Sequence, residues 1–402
     1  MMRELDWIKK AINDLALTAE RDGEYWRASY TREDAAGAAL LEKWLQEKSF
    51  QTRYDAAGNL YGRLEGSSKE TFLIGSHRDT VRNGGKYDGA LGILTGMEAV
   101  CSLLQEKGRP QRTVEIVAMC EEEASRFLTG YVGSRAIVGE LSQRNLEELD
   151  DNGMSLMEAL AESGYYRGVL PQKRDDVVGF LELHIEQGGL LEKEGRKVGI
   201  VTSVVGILAG EIIFYGRQNH AGTTPMRLRC DPVPVAATLI QQLDCWAREK
   251  EDQITCTFGN VVVEPGKSNI IADKVTLTFD IRSGKGELLQ EAEAKIREIL
   301  EKDKTIKAEI RVACQDPPAA MDEEGISLLE MLAEERNLSY LKMSSGAGHD
   351  SQIIAPKIKT NMIFVPSQGG ISHSPLEYTD MDDVGQGYTL MKAYIEAVAW
   401  QR

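Results

Sequence analysis

Positive charge is scarce in this chain. Its 47 Lys and Arg stand against 63 Asp and Glu, a formal net charge of -16 at pH 7. Nucleic acid and anionic membranes both demand a basic face, so neither is an expected partner. Paired cysteines are also missing: the six present form no CxxC and no spaced framework, which excludes a disulfide scaffold or thiolate zinc site and suits buried free thiols. No apolar run reaches membrane-spanning length. The N-terminal segment "MMRELDWIKKAINDLALTAERDGEYW" has no apolar core of a signal peptide and reads as an amphipathic helix, so a cytoplasmic protein is expected. Histidine is rare too, with only five in 402 residues, so each can be weighed singly.

What is present points first to two domains, because 402 residues exceed what one core usually supports. The first half alternates strand and helix. "TFLIGSH" (71–77) reads as a buried strand, and residues 89–107 carry Leu91, Leu94, Met97, Cys101 and Leu104 at helical spacing. "TVEIVAM" is the next strand. "GFLELHIEQGG" alternates Leu181, Leu183 and Ile185 on one face with Glu182, His184 and Glu186 on the other. This order predicts an α/β fold, a mostly parallel sheet with helices on both faces, whose ligands collect at the carboxyl ends of the strands.

Between about 210 and 326 the pattern changes. A strand (211–216), a helix (232–250), strands at 253–263 and 274–283, a helix (287–302) and a strand (308–315) give the β-α-β-β-α-β order of a ferredoxin-like α+β domain. The expected organisation is one domain made of 1–209 and 327–402, interrupted by an inserted domain at 210–326.

Three consecutive acids, Glu121, Glu122 and Glu123, end an apolar strand. Neighbouring carboxylates repel, so they mark either a solvated strand end or a cation site. His77, Asp88 (eleven residues later, in a glycine-rich turn) and His184 also fall at strand ends or the turns after them. Nitrogen and carboxylate donors without thiolate suit Zn²⁺, Mn²⁺, Co²⁺ or Ni²⁺. In "HRD", Asp79 projects on the same side as His77 and either accepts the proton of its second ring nitrogen or caps the turn.

Seven segments carry a family resemblance: "GSHRDTVRNGGKYDGALG", "EEEASRF", "ELHIEQGGLLE", "NHAGTTPM", "SNIIADKVTLTFDIR", "SGAGHDSQ" and "GGISHSPLEY". Together, from about residue 70 to the C-terminus, the chain resembles the amidase/hydantoinase/carbamoylase family of the di-metal aminoacylase and carboxypeptidase clan. The resemblance implies a homodimer of subunits with a catalytic domain and an inserted lid. It implies two divalent ions per subunit, bridged by Asp88, with His77 and His184 on one and Glu123 and His373 on the other. It makes Glu122 the general base and His220 the donor to the developing oxyanion. It gives Asn269 and Arg282 to the substrate carboxylate, places Gln187 and His349 along the site, and leaves Glu121 without a role.

The implied reaction is hydrolysis of a ureido C–N bond in a small carboxylate substrate, with release of ammonia and carbon dioxide. Allantoate comes first, ahead of N-carbamoyl-L-amino acids, N-carbamoyl-β-alanine and ureidoglycolate. A peptidase or deacylase of the same clan, or a non-catalytic relative, is the more distant reading. Two departures lean towards carbamoyl amino acids: the loop "LTGYVGSRAIVG", and Ile207 where the family carries an amide in "VGQ".

Overall fold

The computed structural model describes residues 2–21, 23–166, 168–302 and 305–401. Four parallel strands form the centre of the larger sheet: β1 (Ser68–His77), β2 (Arg112–Met119), β3 (Val177–Ile185) and β4 (Thr360–Val365). Their spatial order is β4-β3-β1-β2. The sheet is mainly parallel at its core and antiparallel at its margins. Leu60–Leu64 and Gln51–Tyr54 extend it beyond β2, and Val198–Val204 pairs antiparallel with β4.

Helices cover both faces. Leu181, Leu183 and Ile185 join one core with Leu91, Leu94 and Met97 of helix Ala90–Lys107. Phe180 packs on the opposite side with Val117, Ile137 and Ile354. Strands buried on both faces read as near-continuous apolar runs, which is why "FLIG" and "VEIVAM" were visible as strands at all.

Register sets the site. His77 lies opposite Met119, Ile74 opposite Leu181, and His184 opposite Phe364, so the carboxyl ends of all four strands finish at one edge. Just past β1 the buried Arg78 makes a bidentate pair with buried Asp34, 2.7 and 3.0 Å, and donates to the carbonyls of Gly58 and Ala118. A guanidinium so fully satisfied holds the exit of β1 firmly.

A second compact unit spans Ser203–Ala319. Its sheet runs Ile254–Thr257, Lys274–Ser283, Gly206–Tyr215, Lys307–Asp316, all antiparallel. Helices Pro232–Glu249 and Gly286–Lys302 pack on the face carrying Leu208, Ile212, Phe214, Leu277, Phe279 and Ile281. This is the ferredoxin-like arrangement. The expected single strand 253–263 is instead two short strands, Ile254–Thr257 and Val261–Glu264, each paired with Lys274–Ser283. The ladder breaks at Phe258–Asn260, where the Asn260 amide turns to the Thr278 hydroxyl (2.9 Å). Among the described residues no helix is long and apolar enough to cross a membrane.

Candidate metal centre

The site is built where β1, β2, β3 and the loop after β4 end. His77 and His184 are buried, and each has a settled Nδ1. His77 Nδ1 lies 3.0 Å from the Asp79 carbonyl and His184 Nδ1 lies 2.9 Å from the Ile185 carbonyl. A carbonyl only accepts, so both Nδ1 atoms carry a proton, and in the neutral ring each Nε2 presents its lone pair to the site. Those two Nε2 atoms stand 3.5 Å apart, and each approaches Asp88 Oδ1, at 3.2 and 3.1 Å. The Gly89 amide also donates to His184 Nε2 (3.1 Å). Asp88 Oδ1 is buried and lacks a hydrogen-bond donor.

Three lone-pair donors facing one point in a dry environment repel unless a cation lies between them. The donor set fits a divalent ion of the first transition row. Asp88 Oδ2 faces the other way, 3.5 Å from His373 Nε2, which is itself 3.4 Å from Glu123 Oε1. Asp88 therefore belongs to two donor groups at once, His77/Asp88/His184 and Asp88/Glu123/His373. Glu122 Oε2 stands 3.9 Å from His77 Nε2, beside both. Gln187 Nε2 donates to Asp88 Oδ2 (2.8 Å) and lies 3.2 Å from His373 Nε2, so it sits within the second group. A further group, Glu182/His184/His349, is already satisfied on its acidic side. The hydroxyls of Ser76 and Ser351 and the Ser351 amide all donate to Glu182. His349 is buried, with Nε2 at 2.9 Å from the Ser345 hydroxyl and its ring centroid 4.5 Å from that of His184.

Asp79 corrects one expectation. Its carboxylate is 3.9 Å from His77 Nδ1, and its backbone carbonyl takes that proton instead. The carboxylate accepts the amides of Glu122 (3.1 Å) and Glu123 (3.2 Å). The side chain caps the acid loop and fixes where both glutamates begin.

Two further acids, Glu121 and Glu377, brace the site. Buried Glu121 has a left-handed φ of 53° and accepts from the Ser125 hydroxyl and the Arg126 and Phe127 amides, closing the loop on itself. Glu377, buried in the segment "HSPLEY", accepts the Tyr87 and Asp88 amides (2.9 and 3.2 Å) and the Ser372 hydroxyl. It anchors the backbone of Asp88 and was hidden because it has no periodic neighbours. Gly89 must be glycine: its φ is +64°, and a Cβ there would meet the His77 ring at 2.5 Å.

Burial, reinforced by Glu123, Asp350 and Asp79, holds the Glu122 carboxyl well above its usual range, against the pull of His77. Burial would also raise Asp88, but His184, His373 and His77 outweigh it and keep Asp88 well below. Asp88 and Glu123 push His373 up to about 10, and burial, with Asp79 and Asp88 respectively, lifts Glu121 and Glu377 to about 7. Each of these three binds its proton more tightly folded than unfolded, so folding stability falls as pH rises through the window from the usual to the raised value. Metal-stripped protein is expected to lose thermal stability steadily from about pH 5 to pH 9, because the cited shifts open at the ordinary carboxyl and imidazole values. A divalent ion held by Asp88, Glu123 and His373 would displace the His373 proton, so the reloaded protein should show a flatter profile above about pH 6. Melting scans at unit pH steps decide this; a stripped protein that gains stability between pH 6 and 8 would contradict it.

In the second unit, Asn219–His220 pairs with Ile270–Ile271, bringing His220 close in sequence register to Asn269, whose carbonyl accepts the Ala221 amide. Both side chains are exposed. His220 Nδ1 accepts from the amides of Gly222 and Thr223 (3.0 and 3.3 Å), leaving its proton on Nε2. Arg282 pairs with Asp280 (2.8 and 3.1 Å) and lies directly across the ladder from Ile207.

A parallel-centred α/β sheet with imidazoles and carboxylates gathered at its strand ends, interrupted by a ferredoxin-like unit, is the architecture of a hydrolase class. Residues 73–397 match the model of peptidase family M20/M25/M40. The chain is 39% identical over 368 residues to an allantoate amidohydrolase of Bacillus subtilis, covering 90% of this chain and 89% of that one. It is 34% identical over 401 residues to an N-carbamoyl-L-amino-acid amidohydrolase of Paenarthrobacter aurescens, covering 97% of each. A hydantoinase/carbamoylase family amidase from Burkholderia ambifaria superposes with a TM-score of 0.89 at 29% identity, over 98% of this chain and 97% of that one. The chain belongs to peptidase family M20/M25/M40 and, within it, to the hydantoinase/carbamoylase amidases. It is a hydrolase acting on C–N bonds.

Proposed function

We propose that the protein is a two-metal amidohydrolase that cleaves the ureido C–N bond of a small carboxylate, with allantoate as the first-choice substrate. The observation that carries this is the sharing of Asp88, whose two oxygens serve separate donor groups, beside a buried carboxyl, that of Glu122, which has no ion pair with Lys or Arg among the described residues. His77 and His184 would hold one ion and Glu123 and His373 the other, with Asp88 common to the two donor groups. Zn²⁺ is the expected ion, and Mn²⁺, Co²⁺ and Ni²⁺ fit the same donors. Bound there, such ions supply Lewis acidity and lower the pKa of water.

Glu122 takes the proton of the attacking water and returns it to the departing nitrogen; its raised affinity for a proton suits that double task. The product carbamate then yields ammonia and carbon dioxide. His220, with its proton on an exposed Nε2, donates to the developing oxyanion. Arg282 and Asn269 take the substrate carboxylate, and Gln187 and His349 line the reacting end. The 203–319 unit serves as lid and dimerisation domain in a cytoplasmic homodimer.

One observation favours the second reading, an N-carbamoyl-L-amino-acid hydrolase. Ile207 is the cross-strand partner of Arg282, so an apolar side chain sits beside the carboxylate anchor. Cross-strand partners share a sheet face. An apolar neighbour suits an amino-acid side chain better than a second ureido group. Ammonia release from stripped protein reloaded with each of the four ions, over allantoate, several N-carbamoyl-L-amino acids, N-carbamoyl-β-alanine and ureidoglycolate, separates the two. Allantoate is expected to lead. A lead for carbamoyl amino acids installs the second reading, and inactivity on all ureido compounds rejects both.

A further inference from the structure

Tyr131 is a residue that nothing above has used. It follows the acid loop and precedes helix Val132–Val138, and its backbone is left-handed, φ 62° and ψ 28°. A β-carbon makes that conformation costly, so the surroundings must hold it there. They do: the Tyr131 amide donates to the Glu122 carbonyl (3.3 Å), and the Tyr131 carbonyl accepts the Ser134 hydroxyl (3.2 Å). The twist sends the phenol across to the segment that carries His349. A methyl group built on Gly348 would come within 2.0 Å of the Tyr131 hydroxyl oxygen. His349, the next residue, packs its ring on metal-site His184.

The hydroxyl thus spans from the Glu122 loop to the His349 loop, half-buried, with no hydrogen bond to it found among the described residues. Burial, then the nearby carboxylates of Glu122, Asp350 and Glu123, raise the phenol, so it stays neutral at any working pH. A neutral phenol oxygen accepts as well as donates. The reacting end of a ureido substrate differs from that of an acylated amine in one respect. It ends in –NH₂, with two N–H donors, where an acetyl group ends in an apolar methyl.

We propose that the Tyr131 hydroxyl accepts a hydrogen bond from the terminal –NH₂ of the substrate's carbamoyl group, and so makes the enzyme select –NH–CO–NH₂ over –NH–CO–CH₃. This rests on the ureido reading above and gives it a residue. Tyr131 would bind the ground state and the transition state alike, so its loss should appear in KM more than in kcat.

The test compares wild type with Tyr131→Phe on the ureido compound that wild type turns over best and on the counterpart in which acetyl replaces the carbamoyl group, the latter followed as substrate or as competitive inhibitor. Removing one hydrogen bond should lower kcat/KM for the carbamoyl compound by about 10-fold or more, chiefly through KM, and leave the N-acetyl compound within about 2-fold. Gly348→Ala supplies a second measurement. Its added methyl should impair wild type through the hydroxyl it meets, and impair the Tyr131→Phe background less. Equal losses on both compounds would make Tyr131 merely structural, and no loss on either would remove it from the site; both overturn the proposal. A wild type inert on every ureido compound is a different failure, that of the functional reading itself, and takes this assignment with it.

Discussion

Glu122→Gln is expected to lower kcat by roughly 10³- to 10⁴-fold while metal content and melting temperature stay close to wild type. Gln keeps the volume and can still hydrogen-bond, but it cannot take a proton from water. The residue is well placed for that task alone. Its amide is fixed by Asp79 and its carboxyl stands 3.9 Å from His77 Nε2. It forms a donor group with His77 and Glu123 but lies outside both groups that share Asp88, and Gln keeps a carbonyl oxygen in its place, so the exchange should spare the ions. Turnover at saturating substrate and metal analysis on the same preparation are the measurements. Turnover near wild type would falsify the base role. A parallel fall in bound metal would make Glu122 a ligand instead.

The acid triplet explains why local sequence could pose this question but not answer it. Three adjacent glutamates go to three different places because the backbone turns left-handed at Glu121 (φ 53°) and again at Ala124 (φ 48°). Glu121 folds back onto Ser125, Arg126 and Phe127, while Glu122 and Glu123 go on to the imidazoles of His77 and His373. Alternation inside β3 is legible because one face packs Leu181, Leu183 and Ile185 into the core while the other delivers Glu182 and His184 to buried polar partners. A turn has no such period. His373 sits in the loop after β4 with φ 51°, and only its resemblance motif, not its spacing, tied it to Glu123.

The same limit applies to the flanking strands and to Asp79. Gln51–Tyr54 and Leu60–Leu64 carry Arg, Gln and Gly among their apolar residues, so neither run stands out from loop. Leu60–Leu64 is placed by pairing with β2, a non-local fact, and Gln51–Tyr54 then pairs with Leu60–Leu64. An extended backbone would aim the Asp79 carboxylate at His77; instead it meets the Glu122 and Glu123 amides, 43 and 44 residues later in the chain. Where a side chain's partner is chosen by tertiary packing, spacing in the chain does not reveal it.

Asp88→Ala is expected to abolish activity and to weaken both ions together, which no other single substitution in the site should do. The two oxygens divide the work: Oδ1 faces His77 and His184, and Oδ2 faces His373. Deleting the carboxylate takes one anionic donor from each group and leaves three neutral imidazoles with Glu123. Its backbone position survives, because Glu377 accepts the Tyr87 and Asp88 amides whatever the side chain. The folded protein should therefore remain, so metal loss can be read without unfolding. His184→Ala and His373→Ala each touch one group and should each cost about one ion, since removal of one of few ligands weakens a site by orders of magnitude. Metal analysis after dialysis against a weak chelator distinguishes the patterns. Two ions in wild type, one in each histidine variant and none in Asp88→Ala fit a bridging carboxylate. Two ions retained in Asp88→Ala would break the bridge, and a loss of only one would assign Asp88 to a single ion.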